Sequence, residues 1–300
     1  MDELAIVDAH HHLWDLKALY YPWLMDSEPH DFFLGDYASI KRVYLPPDLR
    51  RDAARHNLVA SVHVEAECSR EQQVAETRWL TKVAGEHGLP TAIVAHAWFD
   101  VPEAEAILAE QASFPLVRGI RSKPLTTARP GQSVAGQKRT MQHPDWLAGY
   151  KLLGKYNLSW DLRVPFWHLE EAAKVAGDHP HIPVVLNHTG FPWDRSAEGL
   201  ALWRRGMRAL AKQPNVSCKL SCLCLRAGPW TLEGNRPIVR ETIDIFGAER
   251  CMFASNFPVD SVRIGYDAMF EAFKAMVQDL SPAERRGLFH DNARRFYRLP

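Results

Sequence analysis

At 300 residues, with 46% hydrophobic and 24% charged side chains, the chain has the balance of a globular protein and the length for one large α/β unit. Lys+Arg and Asp+Glu are equal at 36 each, so neither nucleic acid nor an anionic membrane surface is expected as its main partner. No uncharged stretch is long enough to cross a bilayer, and Met1-Asp2-Glu3 is acidic where a signal peptide would be basic, so a cytoplasmic location is the expectation.

The first predicted strand is Ile6-Val7-Asp8-Ala9, and it runs into His10-His11-His12-Leu13-Trp14. Alternation along a strand puts His10 and His12 on one face, with Asp8 a layer deeper and His11 facing away. The two imidazoles would stand about 6.6 Å apart at Cα, close enough to converge on one ion. A helix follows from Pro46 to His56, then a second strand over Val59–Glu67 that ends in His63, Glu65 and Glu67. Next come a helix over Glu71–Glu86, a third strand over Thr91–Phe99 and a helix opening near Pro102. The fourth strand, Leu116–Ser122, contains Arg121 and leads into a long Gly- and Pro-rich loop, Lys123–Gln142. That loop carries Arg129, Lys138 and Arg139, and it reads equally as a pocket cover or a solvated surface segment.

A helix over Pro144–Lys155 precedes the fifth strand, Leu158–Pro165, on which Asp161 and Arg163 share a face. A helix over Leu169–Ala176 leads to the sixth strand, Pro183–Thr189, apolar until it delivers His188. A helix over Ala197–Lys212 is followed by the seventh strand, Val216–Leu223, with Lys219 among apolar neighbours. The helix Arg236–Phe246 then leads to the eighth strand, Arg250–Ser255, which delivers Asn256 with Asp260 four residues on. Helical patterns over Tyr266–Gln278 and Pro282–Tyr297 close the chain. Eight β/α units without a linker predict a (β/α)8 TIM barrel: a single domain over residues 1–300 with a C-terminal helical extension. No Gly-rich phosphate turn follows the first strand, which disfavours an open doubly wound sheet. The five cysteines are odd in number and match no zinc spacing, so Cys218, Cys222 and Cys224 read as small buried side chains.

In such a barrel, functional groups sit where strands end. His10, His12, His188 and Asn256 all fall there. Arg121, Arg163 and Lys219 are the candidates for holding a carboxylate or a polyhydroxylated acid, since a guanidinium binds such groups with two parallel donors.

These residues resemble the amidohydrolase superfamily, in its branch of lactonases and acid decarboxylases. The resemblance rests on Asp8-Ala9-His10-His11-His12-Leu13-Trp14, on Leu186-Asn187-His188-Thr189-Gly190 and on Met252-Phe253-Ala254-Ser255-Asn256-Phe257-Pro258, with the ending Asp291-Asn292-Ala293-Arg294-Arg295-Phe296-Tyr297. Trp14 and Arg118-Gly119-Ile120-Arg121 are most similar to the sugar-lactone and pyrone-dicarboxylate lactonases. The resemblance implies hydrolysis of a lactone by an activated water. It also implies a divalent ion, zinc above all, on His10, His12 and His188; some relatives work metal-free through the same residues. The strand-eight carboxylate that normally takes the water's proton is replaced here by Asn256, which cannot act as a general base. Asp260, reaching back around the Pro258 turn, and Glu65, from across the barrel, are the alternatives for that role, with His188 and Asn256 completing the catalytic set. A metal-dependent decarboxylase and a non-catalytic ligand-binding barrel are the other readings. The expected partner is a small anionic or polyhydroxylated molecule, and homo-oligomerisation is left open.

Overall fold

The structure, a computed structural model, describes residues 4–27 and 31–300. Its eight strands are β1 (Ala5–His11), β2 (Asn57–Val64), β3 (Ala92–Ala95), β4 (Val117–Ile120), β5 (Ser159–Leu162), β6 (Val184–Leu186), β7 (Val216–Leu220) and β8 (Cys251–Phe253). They lie side by side in sequence order, every pair parallel. The ring is drawn together between β1 and the end of β8. There the Asn256 amide donates to His10 O and the His12 amide to Phe257 O, each at 2.7 Å. This is the barrel expected from the eight alternating units.

Most strands are shorter than their apolar runs, because the chain leaves the ladder at the rim and turns into the loops. The inward residues are small apart from Met252 on β8: Val7 and Ala9 on β1, Val62 and Val64 on β2, Ala92 and Val94 on β3 and Val185 on β6. Ala293, Tyr297 and Leu299 of the C-terminal segment close this inner core from below. The opposite side chains (Ile6, Ile93, Leu186, Leu220 and Phe253) pack with the helices in the larger outer core.

The helices carry the expected apolar stripes. In Ala197–Ala211, Ser196 caps the first turn by accepting from Gly199 N at 3.0 Å, and Trp203, Met207 and Leu210 line the buried face. The helix ending at Phe246 begins at Leu232, one turn earlier than expected, so Pro237 lies inside it. Thr231 caps that start through Gly234 N at 3.1 Å, and the buried stripe Ile238, Val239, Thr242, Ile243 and Phe246 outweighs the bond lost at Pro237. The closing segment is broken into Pro282–Arg286, a π-type turn at Gly287–Asp291 and Asn292–Phe296.

One register irregularity matters for the site. Asp8 pairs with Ser61 but His11 pairs with His63, so β1 carries an extra residue between them. The strict alternation expected from the sequence therefore fails, and Asp8 does not lie beneath the histidine pair. Its carboxylate accepts from Ser255 N (2.9 Å), Ser255 Oγ (2.6 Å) and Tyr266 OH (3.3 Å), fastening the seam between β1 and β8. His11 is buried too, its Nε2 2.9 Å from Ser61 Oγ and its ring beside His63.

Candidate active site

The strand ends converge on a cavity of about 310 Å³ at the barrel mouth. His12, His188 and Asn256 form its floor, while Arg121, Lys123, Arg163 and Glu67 stand along its walls. Trp23, Phe32, Phe33 and Phe191 form an aromatic side. The first three come from the stretch between β1 and β2, which lines the cavity with more side chains than Lys123–Gln142 does. Of the latter only Lys123 lines the cavity, and Arg139 stacks 3.9 Å over Trp98 instead. These aromatics went unassigned in the sequence, where only their density before Pro46 marks them.

Backbone conformation aims the floor. Glu67, His188, Cys222 and Asn256, each just past a strand, have φ of 58°, 60°, 50° and 56°. Left-handed conformation is costly for residues with a Cβ and collects at functional sites, and here it turns four strand ends sharply.

The three imidazoles are mutually close, with His10 centred 5.0 Å from His12 and 4.4 Å from His188. Each ring has a second partner that orders its protons. His12 Nδ1 is 2.7 Å from Val64 O; a carbonyl only accepts, so Nδ1 carries the proton and Nε2 presents a lone pair. His188 Nδ1 bonds Ser221 Oγ at 2.9 Å. His10 Nδ1 instead faces the ammonium of Lys219 at 3.3 Å and accepts from it, which leaves the proton on its buried Nε2. Burial depresses all three, His12 to about 3 and the other two well below the ordinary histidine range. They are neutral at working pH.

Several expected site residues are placed elsewhere. Lys219 does not reach the cavity. It is fully buried, its Nζ 2.5 Å from Asp161 Oδ1, and Tyr297 and Asn187 complete the shell around that carboxylate. An ammonium in an apolar interior seeks the nearest carboxylate, and Asp161 is nearer than the mouth. Glu65 is likewise buried and committed: Arg121 Nε donates to it at 2.7 Å and Arg70 Nη1 at 3.1 Å. Burial alone would raise its pKa, but the two guanidinium groups hold it well below the carboxylate range. With both oxygens engaged and no place in the cavity lining, Glu65 is not positioned to reach across the barrel as expected. It fixes Arg121 instead. Arg163 reaches the cavity with its guanidinium 4.9 Å over the Phe191 ring and no carboxylate partner among the described residues.

Asn256 and Asp260 are joined. Asn256 Nδ2 donates to Asp260 Oδ1 at 2.7 Å, and Asn256 Oδ1 lies 3.3 Å from His12 Nε2. Asp260 is fully buried behind Asn256 and does not line the cavity; burial pushes its carboxyl up to about 7.

The donor set matches a divalent ion only in part: three imidazoles converge and His10 Nε2 is buried without a hydrogen-bond partner, but the rest of the set departs from a metal site. A metal-bound histidine ordinarily donates its other N–H to an oxygen, but His10 turns that nitrogen toward an ammonium. The surrounding charges on His10 and His188, from Lys219, Arg121 and Arg163, are positive. The strand-eight carboxylate is an amide. Among the described residues, the three-ligand cluster with closely grouped atoms is His56, Asp267 and Glu271, away from the mouth. There Lys274 Nζ already lies 3.1 Å from His56 Nδ1 and 3.0 Å from Glu271 Oε1.

A profile of the Amidohydrolase family matches residues 7–299. The chain belongs to the amidohydrolase family. Among relatives of this amidohydrolase, the uncharacterized protein y4mH of Sinorhizobium fredii is 41% identical over 301 residues, covering all of both chains. An L-fucono-1,5-lactonase of Burkholderia multivorans is 28% identical over 306 residues, 98% of this chain and 96% of that one. A crystal structure of an amidohydrolase from Burkholderia multivorans with bound zinc is 27% identical and superposes with a TM-score of 0.80, covering 99% of this chain and 100% of the other. No described helix is long and apolar enough to cross a membrane.

Proposed function

We propose that this amidohydrolase is a lactonase that opens a small cyclic ester with water, using its own side chains in place of a metal. One observation carries the reading: His12 Nε2 and Asn256 Oδ1 present two acceptors 3.3 Å apart on the floor of a cavity whose walls carry Arg121, Arg163 and Lys123 beside Glu67 and Asp31. Either acceptor takes an O–H of a water at this point, so that its oxygen is turned toward a bound carbonyl. The lactonase relatives support the same reaction class.

The step follows from these residues. The water oxygen bonds to the carbonyl carbon as its proton passes to His12 Nε2, and the carbonyl π pair moves onto oxygen. Arg121, held by Glu65, and Arg163, backed by Phe191, are the donors for that developing charge or for a substrate carboxylate. On collapse the ring C–O bond breaks, and the ring oxygen takes the proton from His12. His188 shapes the floor beside the water. Lys219 and Asp161 lie beneath as the support of His10, not as substrate ligands.

Proton release from a panel of sugar-acid and aromatic-derived lactones, followed with and without chelator, tests this. Chelator-resistant release is expected. CO₂ evolution from an acid would favour a decarboxylase, and loss of all activity on chelation would overturn the metal-free step.

A further inference from the structure

Asn256 raises a question that hydrogen-bond logic answers. An amide at this point can face either way, with opposite consequences. With Oδ1 toward His12, it accepts from the water and the base is free. With Nδ2 toward His12, its N–H caps the Nε2 lone pair and the base is blocked. What lies behind the amide selects between the two. An ionised carboxylate accepts from Nδ2 and so turns Oδ1 forward; a protonated one donates to Oδ1 and turns Nδ2 forward.

We infer that Asp260 is the positioning residue of this site, holding the Asn256 amide so that Oδ1, and not Nδ2, meets His12 and the water. The inference rests on the hydrolase reading above and deepens it. The carboxylate missing from the end of β8 is not lost but displaced four residues along and one side chain deeper, where it acts through the amide. The observed geometry is the productive one, Nδ2 to Asp260 at 2.7 Å and Oδ1 facing His12 at 3.3 Å.

The surroundings of Asp260 suit a group that must change charge. Asn256 faces it from the β8 end, and the thiols of Cys222 and Cys224 face it from the loop after β7. No cation is paired with it among the described residues. The charges of Arg163 and Arg263 are felt at Cys222 and Cys224 respectively, and neither guanidinium is paired with Asp260. Burial without a cation brings the carboxyl to about 7, so both amide orientations lie within the working range of pH. The two thiols are polar neighbours of Asp260, whose Oδ2 has no hydrogen-bond partner of its own.

Three variants in the full chain test the inference. Asp260→Asn removes the charge that orients the amide. Expected are a fall in kcat of about 10- to 100-fold with KM little changed, and loss of the acid limb of the kcat profile. The swap Asn256→Asp/Asp260→Asn returns a carboxylate to the floor with an amide behind it and should recover most of that loss. Cys224→Ser places a hydroxyl donor beside the unpartnered Asp260 Oδ2 and should move the acid limb to lower pH, and it serves if Asp260→Asn fails to fold. A folded Asp260→Asn with a wild-type profile, a swap no better than the single variant, or an unmoved limb in Cys224→Ser would overturn the proposal. Should no lactone be hydrolysed, the side-chain amide signal of Asn256 in ¹⁵N-resolved NMR still decides: a change tracking the ionisation of Asp260 supports the coupling, and a flat response sinks it.

Discussion

Lys219 Nζ stands 3.3 Å from His10 Nδ1 and 2.5 Å from Asp161 Oδ1, with all three side chains sealed from solvent. The ammonium completes a buried pair with Asp161, and it forces the proton of His10 onto Nε2. One side chain therefore sets both the stability of the inner barrel and the chemistry that the first histidine can offer.

Replacing Lys219 should separate these effects. Lys219→Gln leaves Asp161 buried without its counter-charge and should cost about 3–5 kcal/mol, measured by urea unfolding. The same change removes the ammonium from His10 Nδ1 and offers it an amide oxygen. Zinc affinity, measured by competition titration, should rise at least about 10-fold relative to the wild type. Unchanged affinity would show that Lys219 does not govern metal exclusion.

Tyr297 donates from one hydroxyl to both oxygens of Asp161, at 3.0 and 3.1 Å, from the C-terminal segment that closes the barrel floor. Tyr297→Phe keeps the ring and deletes that contact. A loss of about 1.5–3 kcal/mol is expected, the range for a hydrogen bond to a charged group. Denaturant midpoints at constant slope would measure it.

Arg163 is the cavity guanidinium without a carboxylate partner among the described residues. If the substrate bears an acid group, Arg163→Gln should raise KM for it about 10- to 100-fold, with a much smaller effect on neutral lactones. Equal losses on both classes would assign Arg163 to the reacting carbonyl instead.

Glu76 gives the fold a pH dependence remote from the site. It is buried, accepts from Ala66 N at 3.0 Å and has its carboxyl pushed up to about 8 by burial, with Glu65 adding to the rise. The folded state thus binds this proton more tightly than the unfolded state does. Its contribution is complete below the ordinary carboxylate pKa and is lost as pH rises toward 8, at up to about 1.4 kcal/mol per pH unit. Glu76→Gln should be near neutral at pH 5 and stabilising above pH 8, by unfolding at the two values. A constant difference between wild type and variant would refute the assignment.

Much of the molecule is legible in the order of its residues. Alternating apolar runs and helical stripes determine eight β/α units, because each strand and helix must bury a face whose period is local. The same local rule places His10, His12, His188, Arg121, Arg163 and Asn256 at strand ends, and so at one mouth. Tertiary structure alone decided what those residues touch. The extra residue in β1 turned Asp8 from the site to the seam, since alternation holds only while the ladder is unbroken. Glu65 and Lys219 look like free functional groups along the chain, yet burial commits each to a counter-charge more than fifty residues away. The coupling of Asp260 to His12 through Asn256 needs left-handed backbone at Asn256 and a turn that brings Asp260 behind it, and neither is written in residue type or spacing.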